Sequence, residues 1–271
     1  MRIGILTYET PLANGMIQRL LQSLPDRVVG ILESTVILPA KPDWVSSWTL
    51  LTRRDRRPMA IRKGMELLVD RGIELRSRLT GNRARVPRLA KIASDSSVPL
   101  IGTADINGSQ AMQALRAWGP DLLVSVNVNQ RIGTEMIGVP PHGVINVHGG
   151  LLPKNRGLFP YFWALANGDK ETGATVHWVD ADFDTGPVLL QQSIPIEPQD
   201  TVFSVAVSTA AIGAELTVRA IRLIEQGRAP RTPQDVAAAT YHSWPSTADF
   251  RRLKRYGHRY GSIAEMWRAL S

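Results

Sequence analysis

Short apolar runs alternate with segments of helical period along most of this chain, and that alternation narrows the fold more than any other feature. Residues 2–6 form a brief apolar run at the very start, which predicts a first buried parallel strand. Residues 14–24 place apolar side chains at 16, 17, 20, 21 and 24, a helical period that Pro25 ends. Residues 27–32 read as a second strand, so the first thirty or so residues form a strand–helix–strand unit. Further strands are predicted at 98–101, 122–126, 144–147, 174–179 and 188–196. A helix is expected around Met112, Leu115 and Trp118, stopped by Gly119-Pro120, and a long apolar one from 202 to 225, stopped at Gly227. The fold class is α/β: a Rossmann-like, mostly parallel twisted sheet with helices on both faces.

One segment interrupts the rhythm. Residues 52–91 hold 13 Lys or Arg against 4 Asp or Glu, so the net charge of +8 is concentrated there. Trp44, Val45, Trp48 and Leu51 lie at helical spacing, and Ile61, Met65, Leu68 and Val69 do so on a second helix. The expectation is a helical basic insertion at about 40–95, with arginines on the outer faces of its helices. It suits an anionic partner: phosphorylated substrate, nucleic acid or anionic membrane. The Trp44/Trp48 segment beside Arg53, Arg54, Arg56 and Arg57 is compatible with peripheral membrane contact. Residues 1–227 are expected to form the main domain and 228–271 a short C-terminal extension.

Composition removes several kinds of chemistry. There is no cysteine, which excludes disulfides, a thiolate nucleophile and cysteine-ligated zinc or iron–sulfur sites. No H-E-x-x-H motif is present and no metal is expected. No apolar run is read as long enough to span a membrane, and the N-terminus does not resemble a signal peptide, so a cytoplasmic protein is expected.

Candidate chemistry sits at the end of the strand at 144–148. Asn146 and His148 are two apart and so share a face. An Asn amide can donate to a carbonyl oxygen, and a His can move a proton near neutral pH. Gly149 and Gly150 allow close backbone approach. Asp180, Asp182 and Asp184 lie in a later loop, where one carboxylate could orient His148 and favour its cationic form.

The longer pattern carries a resemblance. Asn146-Val147-His148-Gly149-Gly150-Leu151-Leu152-Pro153-Lys154-Asn155-Arg156-Gly157, then Pro160, Trp163-Ala164, Gly168, Gly173-Ala174-Thr175-Val176-His177 and Asp184-Thr185-Gly186-Pro187, resembles the folate-dependent formyltransferase family. That family includes methionyl-tRNA, glycinamide ribonucleotide and nucleotide-sugar formyltransferases. The resemblance implies the formyltransferase fold and formyl transfer from 10-formyltetrahydrofolate, a co-substrate, to a primary amine. Its catalytic Asn, His and Asp fall on Asn146, His148 and Asp184, with Asp184 raising the His148 pKa. Its folate pocket falls on Asn129, Gln130, Arg131 and Ile132, with Asp180 opening the other wall. A histidine is also found at His177 in several relatives, in a supporting or structural role. Gly149-Gly150 departs from the family, which usually has a serine there.

The resemblance leaves the acceptor open. Residues 228–271 leave no room for the barrel domain of methionyl-tRNA enzymes, and residues 7–15 lack the phosphate loop of glycinamide ribonucleotide enzymes. The reading favours a nucleotide-linked amino sugar, whose diphosphate suits the Arg-rich insertion, over tRNA, other small amines and nucleic acid generally. Rival readings are a hydrolase releasing formate, and a catalytically inactive folate-binding or membrane-docked interaction protein.

Overall fold

The structure, a computed structural model, describes residues 1–36, 56–81 and 84–271. The predicted helix at Trp44–Leu51 and the pair Arg53-Arg54 lie outside the described residues.

The strands are β1 (Ile3–Tyr8), β2 (Val28–Ser34), β3 (Leu100–Thr103), β4 (Leu122–Val126), β5 (Val144–His148), β6 (Arg156–Gly157), β7 (Glu171–Trp178), β8 (Val188–Pro195) and β9 (Tyr241–His242). The α-helices are α1 (Pro11–Ser23), α2 (Arg57–Thr80), α3 (Leu89–Asp95), α4 (Ser109–Trp118), α5 (Thr134–Ile137), α6 (Pro160–Asn167), α7 (Val202–Glu225), α8 (Thr247–Arg255) and α9 (Ile263–Leu270).

Seven strands form one sheet in the order β3-β2-β1-β4-β5-β7-β8. The first five are parallel, and their near-continuous apolar sequences match burial under helices on both faces. Reversal of strand order around β1 and β4 opens a crevice at their carboxyl ends, the usual place for a ligand in such sheets. Beyond β5 the sheet turns antiparallel, β7 pairing with β5 and β8 with β7. A mixed edge of this kind is common on large sheets. Here it folds the loop after β7 back over the end of β5.

Helix α1 begins earlier than its apolar period, because Pro11 occupies the first turn and the Thr10 hydroxyl accepts from the Ala13 amide. Helix α7 is long and apolar enough, by length and composition alone, to cross a membrane. In the fold it lies against β7 and α1, burying Val205, Ala206, Ala214, Leu216, Ala220 and Ile221. Its capping box, Thr201 with Ser204, marks the start.

The basic segment also departs from its reading. Ile61 and Leu68, expected on the packed face of α2, are 62% and 71% exposed. The buried residues are Met59, Ala60, Val69 and Ile73. The inner face also carries polar groups that find partners there: Lys63 with Glu66, Glu66 with the Tyr260 hydroxyl, and Asp70 with Arg88. Periodicity finds two apolar stripes on this helix, and these pairings select the inner one.

The C-terminal segment builds a second core with the insertion. Leu253, Tyr260, Met266 and Leu270 pack with Met59, Val69 and Ile73 of α2 and with Phe162, Trp163, Val202 and Val205. Apolar periodicity does not predict helix α8, because its nine residues bury only Leu253; the Ser246–Asp249 capping box is its start signal.

Candidate active site

Strand β5 brings Asn146 and His148 to the crevice, as their spacing requires. Antiparallel pairing then sets His177 of β7 directly opposite Asn146 and Thr175 opposite His148. The loop from β7 to β8 returns Asp184 to the same point. That return depends on Gly186, since a side chain there would collide with the backbone carbonyl of Trp178. Asp184 itself has φ +56°, an uncommon conformation for a non-glycine residue. Gln234 braces the loop, its amide donating to the carbonyls of Asp184 and Gly186 at 2.9 and 2.7 Å.

Three side chains and one backbone amide meet around the Asp184 carboxylate. His148 Nδ1 is 3.5 Å from Oδ2, His177 Nε2 is 3.4 Å from Oδ1, and Asn146 Nδ2 is 3.3 Å from Oδ1. The Gly157 amide donates to Oδ2 at 2.8 Å. Burial alone would raise the Asp184 carboxyl, but the two histidines and this amide outweigh it and hold it well below the usual carboxylate range. Asp184 is therefore ionised at neutral pH.

His148 is nearly solvent-free, and burial dominates it. Burial pushes its pKa down and His177 adds to this, against the opposing pull of Asp184. Asp184 does raise the His148 pKa, as the resemblance implies, but the desolvation of a buried imidazole outweighs one carboxylate 3.5 Å away and the net shift is downward. Nε2 lies 2.9 Å from the Asn155 carbonyl, an acceptor, which assigns the single ring proton to Nε2. Nδ1 is then the basic nitrogen, and a proton arriving there meets Asp184.

His177 Nδ1 faces the Trp178 carbonyl at 2.8 Å, and its Nε2 stands 3.1 Å from Asn146 Nδ2 and 3.4 Å from Asp184 Oδ1. No spacing signal along the chain points to this contact, which strand register alone creates. Gly150 also has a reason: a Cβ there would stand 2.7 Å from Pro160 Cβ and 3.2 Å from His148 Nε2. A serine at this position could not be accommodated without moving the histidine or Pro160.

The predicted folate-pocket residues divide. Gln130 is buried, its amide donating to Ser34 Oγ at 2.7 Å and the Ala104 carbonyl at 3.1 Å, and Ile132 is buried in the core beside α4. Their side chains serve the scaffold, so this segment offers mainly its backbone. Asn129 Nδ2 donates to the Val36 carbonyl at 2.6 Å. Exposed Arg131 joins the two expected walls, donating to the Ala181 carbonyl at 2.6 Å and pairing with Asp182 at 3.0 Å. Asp180 accepts from the Thr185 hydroxyl at 2.5 Å and shapes the acidic loop. Phe162 and Trp163 are buried packing residues.

Comparison with known proteins places this arrangement. Residues 92–221 match the family described as formyl transferase. A methionyl-tRNA formyltransferase from Syntrophus aciditrophicus (strain SB) is 31% identical over 215 residues, 76% of this chain and 68% of that protein. The chain belongs to the formyltransferase family. A second methionyl-tRNA formyltransferase, from Anaeromyxobacter sp. (strain K), is 40% identical over 160 residues, 59% of this chain and 51% of that protein. The chain spans about half the length of the curated relatives it matches, the Syntrophus protein being covered further. Among solved structures, a glycinamide ribonucleotide transformylase from Symbiobacterium toebii has a TM-score of 0.58 at 23% identity, covering 86% of this chain and 93% of that one. An N-formyltransferase from Helicobacter canadensis, solved with folinic acid and dTDP-3-aminofucose, has a TM-score of 0.59 at 16% identity, covering 98% and 81%. These two share the formyltransferase fold. Asn146, His148 and Asp184 all fall within the residues matched to the family.

Proposed function

We propose that this protein transfers a formyl group from 10-formyltetrahydrofolate to a primary amine, with Asn146, His148 and Asp184 as its catalytic residues. The observation that carries the reading is the convergence of a neutral buried imidazole, an ionised carboxylate and an amide donor at the carboxyl end of β5. The folate would lie between the 129–132 segment and the acidic loop. Arg131 clasps these two segments, and backbone groups line the first of them. The bound folate supplies the formyl carbon. The amine nitrogen forms a bond to that carbon as the bond to the folate nitrogen breaks.

The side chains meet the needs of that exchange. Asn146 Nδ2 donates to the developing charge on the formyl oxygen, giving up its longer contact to Asp184. His148 accepts the amine proton at Nδ1, where Asp184 stabilises the cation, and returns a proton to the departing nitrogen. His177 holds the Asn146 amide in place.

For the acceptor, two amines have separate support. The curated relatives are named methionyl-tRNA formyltransferases, which favours the amino group of a methionyl-tRNA. The nucleotide-linked amino sugar rests on fold-level neighbours such as the Helicobacter enzyme and on the basic insertion. The insertion's contribution is smaller than its charge suggests, because Lys63, Arg71, Arg78 and Arg88 are paired with carboxylates of the protein.

The test incubates the purified chain with 10-formyltetrahydrofolate and each acceptor in turn, methionyl-tRNA or a dTDP-linked amino sugar. Formylated product and free tetrahydrofolate should appear in equal amounts with one of them. Formate release without acceptor would instead support the hydrolase. No folate turnover above that of a His148→Ala control would sink the reading.

A further inference from the structure

Helix α2 shows an apolar face that the described residues leave largely uncovered. Ile61, Met65, Leu68, Leu75 and Leu79 follow one another at alternating steps of four and three or seven residues, so they form one stripe along the helix. The stripe lies opposite the buried Met59, Val69 and Ile73. Four of its members are more than half exposed: Ile61 62%, Leu68 71%, Leu75 58% and Leu79 77%. At about 1.5 Å per residue the stripe runs for roughly 27 Å. Gly72 falls within it, and the Trp267 ring covers the gap, 2.9 Å from where a Cβ would be. Ile263, one turn before Trp267 on α9, is 52% exposed.

Charge on α2 is segregated around this stripe. The carboxylates of Glu66 and Asp70 are turned inward to Lys63, Tyr260 and Arg88. Arg71 and Arg78 flank the stripe on one side, and Arg62 and Arg76 on the other. Arg71 and Arg78 share the carboxylate of Glu74 yet keep most of their side chains in solvent. Arg57 and Arg76 have no ion-pair partner among the described residues. A long apolar face, edged by cations on both sides and backed by an acid-containing inner face, is the pattern of a helix lying in a bilayer interface. Self-pairing of the same stripe would bring arginines of two copies together along both edges, which opposes a dimer through this face.

We propose that the outer face of α2 docks the protein onto an anionic phospholipid surface, with Ile61, Leu68, Leu75 and Leu79 entering the acyl boundary and the flanking arginines meeting the headgroups. The docking does not rest on the formyl-transfer reading, since Asn146, His148 and Asp184 all lie outside α2.

Flotation of the full chain tests it, using phosphatidylcholine vesicles with and without about 30% phosphatidylglycerol. The protein should float with the anionic vesicles at low salt, and at least about tenfold less with phosphatidylcholine alone. Leu68→Glu with Leu75→Glu alters only exposed positions and should reduce flotation by about tenfold or more while the melting curve stays near that of the parent. Arg76→Gln with Arg78→Gln should weaken flotation several-fold and flatten its salt dependence. The proposal is overturned if anionic vesicles leave the protein in the dense fraction, or if flotation survives the double Glu variant. Binding to an acidic amphipathic peptide without vesicle binding overturns it as well. So does a dimer, seen by sedimentation, that the same double variant dissociates.

Discussion

His148 Nδ1 stands 3.5 Å from Asp184 Oδ2, with the two side chains only 5% and 12% exposed. An ionised carboxylate therefore faces the basic nitrogen of an imidazole that burial keeps neutral. Asp184→Asn keeps the shape and removes the one charge that raises the His148 pKa. The acid limb of kcat/KM should then shift to lower pH, and turnover should fall by about 10²-fold or more. A pH–rate profile of both proteins checks this; an unmoved acid limb would contradict the pairing.

His148→Ala removes the proposed proton acceptor. Turnover should fall by about 10²–10⁴-fold. Steady-state kinetics and a melting curve on one sample separate a chemical role from a structural one. A variant that melts early yet turns over normally at low temperature would assign His148 to the scaffold.

Stability should depend on pH through the same histidine. Its folded pKa lies below the ordinary value of 6.5, so below that value the unfolded chain binds a proton that folded His148 refuses. Stability is thus lost as pH falls from 6.5 toward the lowered folded value. His242 is also lowered by burial and contributes in the same direction. Urea unfolding at pH 7 and pH 5.5 should show a smaller decline for His148→Gln than for the parent. Equal declines would rule out a buried neutral His148.

Gly150→Ala should move the active site without unfolding the protein. The added methyl meets Pro160 and the His148 ring, and relieving that contact costs about 1–3 kcal/mol. A displacement of the imidazole by part of an ångström is expected to cost about tenfold or more in kcat. Parent-like kcat would show that Pro160 yields instead.

Tyr260→Phe removes the hydroxyl that meets Glu66 Oε1 at 2.7 Å and ties the C-terminal segment to α2. A hydrogen bond to a charged group in this setting is worth about 1.5–3 kcal/mol, and denaturant midpoints should fall accordingly. A change under a few tenths would mean that the two segments are held by apolar packing alone.

Much of this protein is encoded locally. Strands β1, β2 and β4 follow from short, mostly apolar runs, because a strand buried on both faces needs no other signal. Asn146 and His148 share a face because side chains on a strand alternate, and Asp184 stands out through a pattern that neighbouring residues carry. Tertiary structure decided the rest. His177 reaches Asn146 only because β7 runs antiparallel to β5 in that register, and Gln234 braces Asp184 from 50 residues away. His148 is neutral because burial, invisible in a run of letters, outweighs a nearby carboxylate. On α2, periodicity shows where apolar stripes lie but not which one turns inward. Partners distant in sequence, Tyr260 and Arg88, chose that face by satisfying Glu66 and Asp70, since a carboxylate turned from water must be paired.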